Sequence, residues 1–377
     1  MPVHVDEGQD HYHLAAVDPA LLQRITAAAA GANVRVESVV VQPFPYSWGA
    51  PATAGLWRVD VAHEAGTQSY FVKLLRHVRR WPGLLAVPEQ FREELCRAIP
   101  WRFEYDICRA GIADLLPDGM RTPTLHYAKE IDDDHVALWW EFVEVDPLPW
   151  QPEDFARAAY LLGRLAARRR QGTPANARIP LVPKEMERGA LRYFVEHRIL
   201  IATVGELHAL RAQPVPGVPA DLVAEMLALA GRLPGLLDRL DRLPQTYAHG
   251  DASPQNLLIP VGKRSERVVI DWGFGTLLPI GFDLGQLLVG LAHAGELAAA
   301  ELPAIDAAIF DAYLDGLADE DYAVDPADVR LGYVGSLTAR SALASLGLDE
   351  PGGVTPEFLA QRVALTRALV DMAQSVA

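Results

Sequence analysis

The stretch Tyr247-Ala-His-Gly-Asp-Ala-Ser-Pro-Gln-Asn-Leu-Leu258 sets Asp251 and Asn256 five residues apart in a polar loop. Shortly after it, Val268-Val-Ile-Asp-Trp-Gly273 ends an apolar run on Asp271. Three oxygen-bearing side chains at this spacing suit phosphoryl transfer. That chemistry needs one carboxylate to orient an attacking hydroxyl and take its proton, the role Asp251 would fill. It also needs oxygen ligands for the hard Mg²⁺ that bridges the phosphates, which Asn256 and Asp271 would supply. A cation for the α- and β-phosphates is required as well, with a carboxylate holding it in place. The chain has 34 Lys plus Arg, and only Lys73, Lys129, Lys184 and Lys263 are lysine. A lysine inside the apolar run Tyr70-Phe-Val-Lys-Leu-Leu75 therefore calls for a reason, and a compact point charge aimed at phosphate oxygens supplies one.

The elements that must position these residues can be read from pattern. Asp18-Pro19, then Ala20 to Ala30 and Gly31, gives a helix with its cap, first-turn proline and terminal glycine. Strands are expected at 34–42, 56–62 and 69–75, with a hairpin at 63–67, then helices at 88–97 and 101–115. Two more strands, 122–129 and 135–143, flank an acidic turn at Ile131-Asp-Asp-Asp134, expected to be solvated. On the second of these, Trp139 and Trp140 should face opposite ways, one into the core and one toward a cleft or solvent. Pro147, Pro149 and Pro152 mark a hinge. Helices at 153–171, 185–209 and 219–240 follow, and after the β-like break at 246–272 helices resume from Phe282.

Composition narrows the function classes. A net charge of −15 argues against a nucleic-acid partner, which needs a positive face. The two cysteines, Cys96 and Cys108, have no CxxC spacing, so neither a disulfide framework nor a thiolate zinc site is expected, and a reducing cytoplasm fits. The start lacks a basic, apolar leader, and Leu284 to Leu302 is broken by Gln286, His293, Glu296 and Glu301, so neither export nor membrane insertion is expected. His4, His11 and His13 read as a flexible polar terminus. Gly273-Phe-Gly275 is not a dinucleotide fingerprint, because Leu278 stands where a third glycine belongs.

His-Gly-Asp-x-x-x-x-Asn from His249, the strand ending Ile270-Asp-Trp-Gly273, and Phe282-Asp-Leu284 together resemble the aminoglycoside phosphotransferase and choline kinase superfamily, relatives of the protein kinases. The resemblance spans most of the chain, from about Val34 to Ser345. It implies an α+β, two-lobed, protein-kinase-like fold: an antiparallel-sheet N-lobe over 1–143 and a mostly helical C-lobe over 144–377. The C-lobe would hold the catalytic loop at 247–258, the metal-binding segment at 268–275 and a helical insertion at about 183–242 that shapes acceptor choice. It also implies ATP or GTP bound between the lobes with Mg²⁺, and a small-molecule hydroxyl as acceptor. Residue by residue, Asp251 matches the catalytic aspartate, Asn256 and Asp271 the metal ligands, and Lys73 the phosphate-binding lysine. His249 matches a structural histidine, and Asp283 an aspartate that helps hold the catalytic segment. Glu104 is the favoured partner of Lys73, with Glu94 the runner-up, and the adenine would bond to backbone around Glu141 to Val143.

Three departures accompany the resemblance. The loop from Pro43 to Gly55 that would cover the phosphates holds only Gly49 and Gly55, Trp272 stands where many relatives carry Phe, and the insertion is long. For the acceptor, the resemblance implies an antibiotic first, an aminoglycoside or another sugar-containing natural product, and behind it a sugar, a choline-like amine or an amino alcohol. A silent nucleotide-binding pseudokinase is the contrasting class, favoured only by the irregular phosphate loop.

Overall fold

The computed structural model describes residues 3–5, 12–44, 51–178, 190–347 and 355–376. The chain forms two compact units, 1–110 with 122–145, and 111–121 with 146–377. The change from one to the other at Val145/Asp146 lies at the start of the proline-marked segment, and residues 111–121 belong to the second unit, not the first.

The first unit is built on a six-stranded sheet ordered β1-β2-β3-β4-β7-β6, antiparallel except for its first pair. Its strands are β1 (Val3–Val5), β2 (Val36–Pro43), β3 (Thr53–His63) and β4 (Gly66–Arg76). After β5 (Met120–Arg121), which lies in the second unit, come β6 (Leu125–Asp132) and β7 (His135–Glu141). The expected meander is present, but the polar start is not wholly irregular: Val3–Val5 pairs parallel with Val39–Val41. Three residues are too few for a period to show, so the strand comes from the edge it completes.

Helices α1 (Tyr12–Ala15) and α2 (Pro19–Ala30) join a core with one face of the sheet: Ala15, Leu22 and Ile25 cluster with Val59, Tyr70, Val72, Leu74 and Trp139. Asp18 caps α2 through the Leu21 N–H at 2.8 Å, and Gly31 ends it at φ 64°. Lys129 reaches the carbonyls of Leu14 and Ala16 at the end of α1, at 3.0 and 2.8 Å. After α3 (Glu89–Ala98), α4 (Phe103–Arg109) supplies Tyr105 to a second cluster with Leu75, Val136, Leu138 and Trp140.

Both tryptophans are therefore buried, contrary to the expected split. They do alternate, but each face of the sheet has helical cover, and Trp139 Nε1 donates to Ala15 O at 2.9 Å. The acidic turn also differs from expectation. Asp134 is buried, with ion pairs to Arg79 and Arg80 that hold its carboxyl below the usual range despite the cost of burial.

The second unit is mostly helical: α5 (Pro152–Arg168), α6 (Ala190–Phe194), α7 (Val204–Ala212), α8 (Ala220–Leu240), α9 (Phe282–His293), α10 (Leu302–Asp319), α11 (Pro326–Leu337) and α12 (Pro356–Ala373). Wide helical turns continue α6 through Val195–Thr203 and α11 through Thr338–Ala342. Residues 183–189 of the expected insertion lie outside the described residues. Helices α5 and α10 cross closely where Gly163 faces the Tyr313 carbonyl and Gly316 faces that of Tyr160, with no room for a Cβ. Between α8 and α9 run β8 (Gln245–Ala248), β9 (Leu257–Leu258), β10 (Arg267–Val269) and β11 (Thr276–Pro279), with β8 paired to β11 and β10 between β5 and β9. Among the described residues no helix is long and apolar enough to cross a membrane.

Candidate active site

In the first unit, Lys73 lies on β4 between Leu56 of β3 and Leu138 of β7. Strand alternation turns Val72 and Leu74 into the α2 core, and Lys73 toward the face covered by α4. There its Nζ meets Glu104 Oε2 at 2.6 Å, with Lys73 7% and Glu104 8% exposed. At this burial the pairing offsets part of the cost of desolvating each charge. The structure thus pairs Lys73 with Glu104 of the two glutamates considered, while Glu94 lies on α3. At the end of β7 the Glu141 N–H donates to Thr124 O at 2.8 Å and its carboxylate accepts from Thr124 N at 3.0 Å. The Phe142 N–H reaches Ser69 O at 3.4 Å, and Val143 follows directly. Residues 45–50 of the irregular loop lie outside the described residues.

In the second unit, the loop after β8 is shaped by a buried carboxylate. Asp283, in the first turn of α9, accepts from His249 N and Gly250 N, each at 2.9 Å. Burial pushes its carboxyl up, while His249, the two amides and Arg169 pull the other way. His249 is fully buried, its Nδ1 accepting from the Asp251 N–H at 3.2 Å. With Nδ1 accepting, Nε2 is the donor, and it donates to Ile270 O at 2.9 Å, which ties the loop after β8 to the segment bearing Asp271. Gly250 takes φ 84° with the Phe274 carbonyl packed where a Cβ would lie, so this turn admits only glycine.

Asp251 and Asn256 meet directly: Asn256 Nδ2 donates to Asp251 O at 2.8 Å and to Asp251 Oδ2 at 3.1 Å. Asn256 O accepts from Ile270 N at 3.0 Å, which joins the loop to the residue before Asp271. Asp271 itself holds a left-handed backbone, φ 56° and ψ 62°, uncommon for a residue with a Cβ and a feature that clusters at functional sites. Its strand is tied down by Arg267, whose buried guanidinium donates to Asp154 O, Arg264 O and Glu266 O, each at 2.8 Å.

The donor set can be tested against a divalent cation. Asn256 spends its amide nitrogen on Asp251, which leaves the carbonyl oxygen as its ligating end. One amide oxygen and one carboxylate are hard ligands of the kind Mg²⁺ takes beside nucleotide phosphates, so these residues fit that ion.

Two residues escaped the sequence reading. Arg340, in the turns after α11, donates through Nη2 to Asp251 Oδ1 at 2.9 Å and through Nη1 to Gly250 O. Arg169, after α5, lies buried with its guanidinium carbon 5.7 Å from the ring centroids of Tyr247 and of Trp272. Burial lowers its pKa to about 10, and the Coulomb attraction of Asp283 opposes that shift. Trp272 also packs at 4.7 Å from the His249 ring, so the indole fills space around the loop's histidine. Arginine is too frequent in this chain for either cation to stand out by type.

A family model described as the phosphotransferase enzyme family matches residues 115–325, more than half of the chain. The chain belongs to the phosphotransferase enzyme family. The match takes in the loop bearing Asp251 and Asn256, the Asp271 segment and α9 with Asp283. A search of curated proteins returned no match. Among solved structures, an aminoglycoside phosphotransferase from Alicyclobacillus acidocaldarius is similar at a TM-score of 0.52 and 13% identity, over 89% of this chain and 90% of that one. At that identity the likeness concerns fold, and it agrees with the α+β, kinase-like architecture described above. Plasmodium vivax ethanolamine kinase matches at a TM-score of 0.48 and 13% identity, over 91% and 84% of the two chains. The amicoumacin kinase hAmiN matches at 0.47 and 12%, over 97% and 96%.

Proposed function

We propose that this phosphotransferase moves the γ-phosphoryl group of ATP or GTP to a hydroxyl of a small molecule, with sugar-containing natural products, aminoglycosides among them, as the first acceptors to test. The observation that carries the reading is the fixed Asp251 carboxylate, held in one hydrogen-bonded unit with Asn256 and joined through His249 and Ile270 to the Asp271 segment. Asp251 orients the acceptor hydroxyl and receives its proton as the new O–Pγ bond forms and the bond from Pγ to the β-phosphate oxygen breaks, releasing the nucleoside diphosphate. The transition state is loose, so Asp251 acts mainly by alignment. Lys73, kept in place by Glu104, is assigned to the α- and β-phosphates, and the backbone from Glu141 to Val143 to the base. Asn256 and Asp271 are assigned to Mg²⁺, which when bound offsets charge on the phosphates. His249 and Asp283 support the loop.

The test is coupled release of ADP or GDP, with Mg²⁺, across aminoglycosides, macrolides, nucleoside antibiotics, sugars and amino alcohols, with Asp251→Ala as control. Acceptor-dependent release that disappears in the variant is the expected result. Release that persists in Asp251→Ala would sink the reading.

A further inference from the structure

Arg340 lies against both the Asp251 carboxylate and the ring of Phe274 within the second unit. Arg340 Nη2 sits 2.9 Å from Asp251 Oδ1, so a hydroxyl accepted by the same carboxylate lies within a few ångströms of a guanidinium. Its side chain is 22% exposed and that of Asp251 25%, so both are partly open to a ligand. Arg362, on α12, donates to His293 O at 3.2 Å, and Arg362 and Arg340 both bear on the imidazole of His293. Burial, reinforced by these two cations, lowers that imidazole to about 4, so it is neutral at pH 7. Beside Arg340, Phe274 presents a large apolar ring that is 58% exposed. The Arg340 guanidinium carbon lies 5.9 Å from the centroid of that ring and 5.7 Å from that of buried Phe282. An exposed aromatic against the catalytic loop is a stacking surface for a flat ring or for the apolar face of a sugar.

Resting on the kinase reading of Asp251, we infer that Arg340 and Phe274 form the acceptor's docking face, and that the acceptor is a ring-bearing hydroxyl compound with no cation beside the hydroxyl that reacts. Arg340 then does two things. It fixes the rotamer of the Asp251 carboxylate together with Gly250 O, which makes it a positioning residue. It also repels ammonium groups and attracts carboxylates, which makes it a specificity residue. Polycationic aminoglycosides are thereby disfavoured against neutral or acidic glycosides.

The experiment uses the full chain with Mg²⁺ and ATP, and three probes of one shape: phenyl glucoside, phenyl glucuronide and phenyl 2-amino-2-deoxyglucoside. ADP release is measured with each probe, as turnover or as inhibition of release to water. The parent is expected to favour the neutral and acidic probes over the cationic one by about tenfold or more, and Arg340→Glu to reverse that order. Phe274→Ala should raise KM for all three. With water as acceptor, Arg340→Gln should lower kcat about tenfold with KM for ATP unchanged, and Arg340→Lys should recover part of it. Preference of the parent for the amino probe, failure of all three to bind, the same order in Arg340→Glu, or undiminished kcat in Arg340→Gln would each overturn the inference. ADP release by Asp251→Ala at the parent rate would instead remove the kinase reading beneath it.

Discussion

The two places where chemistry-bearing side chains gather are held by different forces. Lys73 and Glu104 are fixed by a sheet: β4 is paired on both sides, its alternate residues fill a core, and the ion pair is the polar exception on an apolar face. The Asp251 loop has little regular structure. It is held by side chains that satisfy its backbone, with Asp283 on two N–H groups, His249 bridging to Ile270, Asn256 on Asp251, and Arg340 on Gly250 and Asp251. The sheet makes one geometry robust through many small contacts. The loop makes another through a few polar contacts, those of His249 and Asp283 buried, and each can be lost by one substitution or one proton.

That contrast can be broken at its strongest point first. Lys73→Met removes the cation 2.6 Å from the buried Glu104 carboxylate and should cost about 4 kcal/mol of stability by urea unfolding. The double variant Lys73→Met, Glu104→Leu should recover much of that loss, and a double variant no more stable than the single would show that the pair is not coupled. Acid should act on the other region. His293 is held near 4 in the folded chain against 6.5 unfolded, so the unfolded state takes up its proton first. Its contribution is complete above pH 6.5 and is lost as pH falls toward 4, about 3 kcal/mol in all. His293→Gln should flatten that part of the stability-against-pH curve, and an unchanged slope would count against the assignment. Asp283→Ala strands the His249 and Gly250 N–H groups and should cost about 2 kcal/mol, together with a disproportionate loss of turnover. The smallest effect belongs to the sheet: Trp139→Phe keeps an aromatic ring in the core, loses the bond to Ala15 O and some ring volume, and should cost about 1–2 kcal/mol by thermal unfolding.

The same contrast explains what could be read from sequence. The loop residues were legible because Asp251, Asn256 and Asp271 lie close along the chain at a spacing that chemistry dictates. Lys73 stood out because lysine is rare here and its strand is apolar. Arg340 did not, since it acts across 89 residues from a helical run in which nothing marks one arginine among thirty. The acidic turn misled because Asp134 takes its partners from Arg79 and Arg80, more than fifty residues away. The tryptophan pair misled because alternation gives direction, not cover, and α4 covers the second face.

The most direct test of the account separates binding from transfer in the same samples. Mg·ATP binding by calorimetry and phosphoryl transfer to an identified acceptor are measured for the parent and for Asp251→Ala. The account predicts nucleotide bound as in the parent while transfer falls about thousandfold. Transfer at the parent rate in that variant would contradict it.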